Sequence, residues 1–165
     1  MIVNKLSAHI SIVLSFVLMA SSAKAGWQET NWGMTVEEVS EVTGAKRKQD
    51  EGKRVQDLVS EMSMPYVVDG MTLEANFLFD ETGGLAMVQL TGRERDCSKF
   101  ANTVPEIYGA PETQREVPQI GVSSMWRDLD EKNLVTLLWS GIPAPLVVFC
   151  QLSYEPMPVK GSGGL

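Results

Sequence analysis

The residues with the clearest chemistry are the only two cysteines of this 165-residue chain, Cys97 and Cys150. In an oxidising compartment, two cysteines in one small domain pair as a disulfide. A redox-active or nucleophilic cysteine is the alternative, but it usually needs a Cys-x-x-Cys motif or a neighbouring histidine. The chain contains no such motif, and its single histidine is His9. We therefore predict one structural disulfide between Cys97 and Cys150.

Large aromatic side chains are the next candidates, because tryptophan and tyrosine carry much of the binding energy at protein interfaces. Trp126 is followed by Arg127 and Asp128 near the end of a predicted strand, which favours an exposed position. Tyr66 and Trp139 are further candidates for contacting a partner, together with Trp126 and Arg127. Aromatic residues are also ordinary core residues, so the sequence leaves both roles open.

The sequence supplies few groups for catalysis or for metal binding. No histidine follows position 25, so neither a Ser-His-Asp triad nor a histidine-based metal site is available. The acidic pair Asp80-Glu81 lacks the spacing of a calcium loop, and no glycine-rich phosphate loop opens a helix. We predict no metal, no cofactor and no catalytic residue. A hydrolase that uses two carboxylates is the third alternative, although no pair of acidic residues stands out.

Residues 1–25 have the pattern of a cleaved signal peptide. Lys5 precedes an apolar run over 10–20, and Ala23-Lys24-Ala25 is a small-x-small cleavage motif. The run is short for a membrane span; an uncleaved anchor is the alternative. Cleavage after Ala25 leaves 140 residues with 12 basic and 21 acidic side chains, a net charge of −9. We therefore expect a periplasmic or secreted protein, repelled by nucleic acid and by anionic membranes.

Residues 35–44 carry every local signal of a short helix. Thr35 and Glu38 form a Thr-x-x-Glu capping box, and Met34 and Val39 occupy the two positions of a hydrophobic staple. Gly44 stands where a left-handed C-cap belongs. The chain after the predicted cleavage site is therefore expected to begin with one well-specified helix.

Strand patterns follow this helix, and a second helix separates two groups of strands. Asp96 fits the N-cap of the second helix, which Pro105 is expected to kink or split and Gly109 to end. The basic stretch 46–54 is predicted to be a solvated loop and the start of a hairpin; docking of an acidic partner is the alternative. The predicted strands cover residues 55–66, 71–77, 85–90, 122–127, 134–139 and 146–154.

Similar features recur at a nearly constant spacing along the chain. The two helix-ending glycines are 65 residues apart, and Gln89-Leu90-Thr91 recurs 62 residues later as Gln151-Leu152-Ser153. This spacing suggests a duplicated unit. We therefore predict an α+β fold of two tandem α-β-β-β units, with helices packed on antiparallel sheet and one disulfide. The predicted domains are a signal peptide (1–25), two units (26–94 and 95–155) and a disordered tail (156–165).

The start of the first helix, Trp32-Gly33-Met34-Thr35 followed by Glu38-Val39, resembles a family of small bacterial envelope proteins. The segment Ile107-Tyr108-Gly109-Ala110-Pro111 is similar to the way in which helices of that family end. The family includes the β-lactamase inhibitor protein, which has two helix-plus-sheet units, and the small lipoprotein of the outer-membrane β-barrel assembly machine, which has one. The resemblance implies a binding scaffold. The residue directly after the predicted cleavage site is Gly26 and not a cysteine, so lipidation of the new N-terminus is not expected.

These observations favour an exported, non-catalytic binding protein of the bacterial envelope. The expected partner is another envelope or secreted protein, which this protein would inhibit or help to assemble. The alternative is a periplasmic module that binds a small molecule or the cell wall through aromatic residues of the sheet. An exposed aromatic patch would favour protein binding, whereas an apolar pocket with a few polar groups would favour a small ligand.

Overall fold

One antiparallel sheet of nine strands organises the part of the chain that the structure describes. The computed structural model describes residues 25–48, 54–92, 94–118, 120–140 and 149–158. The elements are α1 (Val36–Thr43), β1 (Lys46–Arg47), β2 (Arg54–Val55), β3 (Leu58–Val68), β4 (Met71–Phe79), β5 (Leu85–Gly92), α2 (Glu94–Tyr108), β6 (Thr113–Val117), β7 (Gly121–Asp128), β8 (Asn133–Trp139) and β9 (Cys150–Pro156). The strand order in the sheet is β1-β3-β4-β5-β9-β8-β7-β6, and β2 also pairs with β3.

The predicted fold class, α+β with two tandem α-β-β-β units, is wrong. Of the described residues, 50% lie in strands and 19% in helices, so the fold is mostly β. The alternation of apolar and polar residues located most strands, but it does not specify which strands pair. Long-range pairing of β9 with β5 makes one continuous sheet, and Thr113–Val117, which the sequence pattern left unassigned, adds the edge strand β6.

The local prediction for the first helix is confirmed. The Thr35 hydroxyl accepts the Glu38 N–H at 3.3 Å, and the Glu38 carboxylate accepts the Thr35 N–H at 2.8 Å. The Thr35 backbone N–H also holds the pKa of the Glu38 carboxyl below its usual value. Gly44 ends the helix with a φ of 71°, which favours glycine because it has no Cβ.

The second helix differs from its prediction at its start and in its middle. It begins at Glu94, two residues before the predicted cap Asp96, and it runs through Pro105 to Tyr108 without a break. Gly109, with a φ of 76°, ends the helix as predicted. Lys46–Arg47 form β1 and Arg54–Val55 form β2, so the loop predicted over 46–54 is corrected at both ends.

Several predictions fall partly or wholly outside the described residues. These are the signal peptide up to residue 24, residues 49–53 of the basic stretch, residues 146–148 of the last predicted strand, and the tail from residue 159. Neither helix of the described part is long and apolar enough to cross a membrane.

Both helices pack on the same face of the sheet, which we call the inner face. The strand register places Leu73, Ala75 and Phe77 of β4 on this face, beside the inner residues of β3 and β5. These side chains form one core cluster with Val39 of α1 and Phe100 of α2. The opposite, outer face carries many polar side chains, including Thr72, Glu74, Gln89 and Gln151.

The side-chain amide of Asn133 ties the N-terminal segment to the far half of the sheet. Asn133 lies on β8 and is only 3% exposed. Its Nδ2 donates to the Gly26 carbonyl at 2.6 Å, and its Oδ1 accepts the Trp32 indole N–H at 3.0 Å. On the other side, the backbones of Gly33 and Met34 pair with Leu85 through two hydrogen bonds of 2.8 Å. The N-terminal segment therefore bridges β5 and β8.

The disulfide predicted between Cys97 and Cys150 is confirmed, with a Cα–Cα distance of 5.3 Å. It joins the first turns of α2 to the start of β9. Gly92 of β5 pairs with Cys150 and lies directly beneath the disulfide. A Cβ at position 92 would overlap the Cys150 sulfur. The close approach of β5 to the disulfide therefore requires glycine at this position.

Replacing Asn133 with alanine should destabilise the fold by about 2–4 kcal/mol. The Gly26 carbonyl and the Trp32 indole would both lose a buried partner, at about 1–3 kcal/mol each. The measurement is the free energy of unfolding in urea. Asn102→Ala is the matched control, because that amide is exposed and has no hydrogen-bond partner among the described residues. Equal stability of the two variants would contradict the bridging role of Asn133.

Gly92→Ala should cost about 1–3 kcal/mol in the oxidised protein, because the added methyl group overlaps the disulfide. The same substitution should cost much less in a Cys97→Ala/Cys150→Ala background, where both sulfur atoms are gone. Removing the disulfide alone should cost about 4 kcal/mol by the chain-entropy model. Urea unfolding of the four proteins gives the coupling energy. A coupling energy near zero would show that Gly92 is required for another reason.

Candidate functional site

A cleft of about 390 Å³ lies between α2 and the inner face of β6, β7 and β8. We call it the α2 cleft. Its position follows from where α2 is held, because the helix packs over β4, β5, β8 and β9. The disulfide fixes the start of the helix above β9. The helix does not cover the inner face of β6 and β7, and this face forms the floor of the cleft.

Alternating residues of three neighbouring strands form this floor. Ser124 of β7 lies between Gln114 of β6 and Leu137 of β8 in the register of the sheet. Two indoles flank this row, Trp126 from β7 and Trp139 from β8. Successive residues on the same side of a strand are two apart, which brings these side chains to one surface.

One side of α2 forms the wall of the cleft. Ser98, Asn102 and Pro105 are spaced at i, i+4 and i+7 and share a helical face. A different side of the same helix carries Phe100 and Val104 into the core. The helix therefore presents its apolar side to the sheet and a mixed side to the cleft.

Pro105 changes the chemistry of this wall. A proline in a helix interior lacks the N–H that the carbonyl four residues earlier would accept. In α2 that carbonyl belongs to Ala101, which also lines the cleft. The helix continues through Pro105, so the wall contains a backbone acceptor without its usual helical donor.

The polar side chains of the cleft make no hydrogen bonds within the part of the chain that the structure describes. Ser98, Asn102, Gln114 and Ser124 line it, and none of these side chains has a hydrogen-bond partner among the described residues. The remaining lining is apolar and comes from proline, alanine, valine, leucine and tryptophan. No charged or titratable side chain is among the described residues that line the cleft. The described lining of the α2 cleft is thus mainly apolar, carries no charge and includes donors and acceptors without partners.

The structure corrects the expectation that Trp126 is exposed. Trp126 is 3% exposed, and its indole N–H donates to the Gly109 carbonyl at 2.9 Å. This bond fastens the end of α2 to β7. Trp139 is half-buried, and its indole nitrogen is buried without an acceptor among the described residues. Trp126 and Trp139 therefore meet at one site, although neither forms a flat exposed patch.

The other two predicted partner-binding residues lie elsewhere. Arg127 follows Trp126 but points to the outer face, where it donates to the Glu112 carboxylate at 2.7 Å. This bond lowers the pKa of the Glu112 carboxyl. Tyr66 belongs to an aromatic cluster at the other end of the inner face, with its ring centroid 5.1 Å from that of Trp27. The structure thus brings together two of the four predicted residues.

A pair of half-buried phenols lies between the end of α2 and the sheet. The hydroxyls of Tyr108 and Tyr154 are 3.4 Å apart. Burial raises the pKa of both phenols above the usual value, and the negative charges of Asp128 and Glu131 add to the shift at Tyr108. Both side chains therefore stay neutral at physiological pH. They support α2 from beneath and add no charge to the cleft.

The outer face carries a second concave region, a groove of about 480 Å³ at the β3–β4–β5 end of the sheet. We call it the outer groove. Unlike the α2 cleft, it includes charged side chains, Lys46 and Glu74, beside Ser63, Thr72 and Thr91. Val67, which is 67% exposed, lies opposite Thr72 on the same face.

Within the described residues, no group of acidic, histidine or cysteine side chains could hold a metal ion.

Sequence reasoning missed most of the α2 cleft. The spacing of Ser98, Asn102 and Pro105 was a possible signal, because a polar stripe containing proline is unusual in a helix that packs on a sheet. Gln114 gave no signal, since β6 was not predicted and its inward direction depends on pairing with β7.

No protein-family model, curated protein or solved structure matches this chain. The resemblance to small bacterial envelope proteins therefore stays a prediction.

Proposed function

We propose that this protein is an exported, non-catalytic binding protein that holds a small uncharged ligand in the α2 cleft. The observation that carries the proposal is a set of four polar side chains without hydrogen-bond partners among the described residues, which lie among apolar side chains and two indoles. The volume lies within the range of small-molecule sites, about 300–1,000 Å³. A neutral sugar ring is the simplest ligand with the required chemistry.

The lining itself selects for such a ligand. Amide and hydroxyl side chains both donate and accept hydrogen bonds, as the hydroxyl groups of a sugar do. The half-buried Trp139 and the proline rings offer apolar surfaces to the C–H faces of a ring. A charged ligand would give up hydration without gaining an opposite charge, which is costly. A neutral ring with hydroxyl groups around its edge satisfies both the polar and the apolar parts of the lining.

The same lining argues for binding without catalysis. General acid–base chemistry needs a group that exchanges a proton near neutral pH, and nucleophilic catalysis needs an activated serine, cysteine or comparable group. Ser98 and Ser124 have no base beside them among the described lining residues. The part of the lining that the structure describes can therefore orient a ligand, but it offers no group that would transform one.

Titration with three matched sugars tests the proposal. Methyl glucopyranoside should shift the indole N–H signals of Trp126 and Trp139 in nitrogen-15 NMR spectra. Glucuronate and glucosamine, which carry a charge on a similar ring, should bind at least about tenfold more weakly, a difference of about 1.4 kcal/mol. The signals of Trp27 and Trp32, which do not line the cleft, serve as internal controls.

Two variants assign the binding to the cleft. Gln114→Ala and Asn102→Ala should each lower the affinity about tenfold, the value of one good hydrogen bond, without lowering stability. Thr113→Ala is the matched control, since Thr113 is also exposed on β6 but points to the outer face. The proposal is wrong if no neutral sugar shifts the two indole signals, or if Thr113→Ala and Gln114→Ala have the same effect.

Pro105→Ala should stabilise the protein and weaken its binding. Alanine restores a helical N–H for the Ala101 carbonyl, and it is favoured over proline in helix interiors by up to about 3 kcal/mol. The same new bond removes a free acceptor from the cleft wall. Thermal unfolding and sugar titration of one sample measure both effects. A gain in stability with unchanged affinity would show that the Ala101 carbonyl does not contact the ligand.

The second candidate function is binding of another envelope or secreted protein through the outer groove. It is favoured by the mixed lining of this groove, which includes the charged side chains Lys46 and Glu74. Val67, which is 67% exposed opposite the groove residue Thr72, adds apolar surface on the same face. A partner captured from periplasmic extract should be lost with Val67→Arg and retained with Gln114→Ala. The reverse pattern would assign the partner to the α2 cleft.

A further inference from the structure

The predicted cleavage point lies within the folded structure. The Ala25 carbonyl accepts the backbone N–H of Trp32 at 3.1 Å. The next residue, Gly26, is buried and is fixed by Asn133 through a hydrogen bond of 2.6 Å. A Cβ on Gly26 would overlap the Thr30 carbonyl. Ala25 and Gly26 therefore belong to the turn that begins the domain.

A cut after Ala25 would damage this turn in two ways. It would remove the carbonyl that the Trp32 N–H donates to, and an unpaired backbone donor is unfavourable. It would also convert the Gly26 amide nitrogen into a charged ammonium group at a buried position, where charge is poorly tolerated. The domain as the structure shows it needs a peptide bond before Gly26.

The sequence contains a second cleavage motif two residues earlier. Ser21-Ser22-Ala23 also places small residues at the third and the last position before the cut. We propose that processing occurs between Ala23 and Lys24, so that the mature protein begins at Lys24 and keeps Ala25. In this step water adds across the Ala23–Lys24 amide bond, which leaves a carboxylate on Ala23 and an ammonium group on Lys24. The new charge then lies two residues before the buried Gly26.

N-terminal sequencing and intact mass of the exported protein test this assignment. The expected first residue is Lys24. A chain that begins at Gly26 would overturn the proposal, and so would an exported protein that keeps the whole segment 1–25. The experiment uses the full-length gene product in a bacterial host, and it does not depend on any ligand of the α2 cleft.

Two substitutions separate the two cleavage sites. Ser21→Asp places a charge at the third position before the proposed cut, but it lies outside the motif that ends at Ala25. It should abolish or strongly slow processing. Ala25→Leu blocks a cut after position 25 and keeps the carbonyl that Trp32 uses, so it should be processed at the normal rate. Normal processing of Ser21→Asp together with blocked processing of Ala25→Leu would assign the cut to the bond after Ala25.

A folding measurement gives an independent readout. Domains that begin at Lys24 and at Gly26 can be prepared from a cleavable fusion and unfolded in urea. The domain that begins at Lys24 should have the higher midpoint. Equal midpoints would show that the bond between Ala25 and Trp32 contributes nothing and would overturn the structural argument.

Discussion

The pairing of β5 with β9 is the constraint on which the rest of the structure depends. Residues 88–92 pair with residues 150–154, so the contact closes a loop of about 60 residues of chain, which costs conformational entropy. This pairing makes one sheet out of strands from both halves of the sequence. The disulfide reinforces the same place, since it joins β9 to α2 directly above Gly92.

The α2 cleft is a consequence of this arrangement. The helix is fixed at its start by Cys97 and at its end by the bond between Trp126 and Gly109. Between these two points the apolar side of α2 faces the core, and its other side faces β6 and β7, which the helix does not cover. A cleft between a fixed helix and a sheet is largely pre-formed. The protein therefore loses little conformational entropy when a ligand binds there.

The sequence predicted those features that depend on neighbouring residues. The capping box of Thr35 and Glu38, the helix-ending glycines and the alternation in β4 are all local patterns, and they are confirmed. The disulfide followed from the number of cysteines. The fold class was wrong because pairing between distant strands is a tertiary property. Trp126 was placed on the surface from its charged neighbour Arg127, yet adjacent residues of a strand point to opposite faces.

The site was harder to predict than the fold. Trp126 and Trp139 were chosen for their residue type, and the register of β7 with β8 places them on one face. Gln114 and Ser124 are ordinary polar residues, and only the register of the strands shows that their side chains face the cleft. Asn133 likewise has no sequence signal, because its partners Gly26 and Trp32 are about a hundred residues away. Long-range hydrogen bonds of this kind can be found only in a folded structure.

The most direct test of the central claim is a crystal structure of the mature protein soaked in methyl glucopyranoside. A sugar ring should occupy the α2 cleft, in contact with the Trp139 indole and hydrogen-bonded to Asn102 or Gln114. An empty α2 cleft at saturating sugar, or a ring bound only in the outer groove, would contradict it.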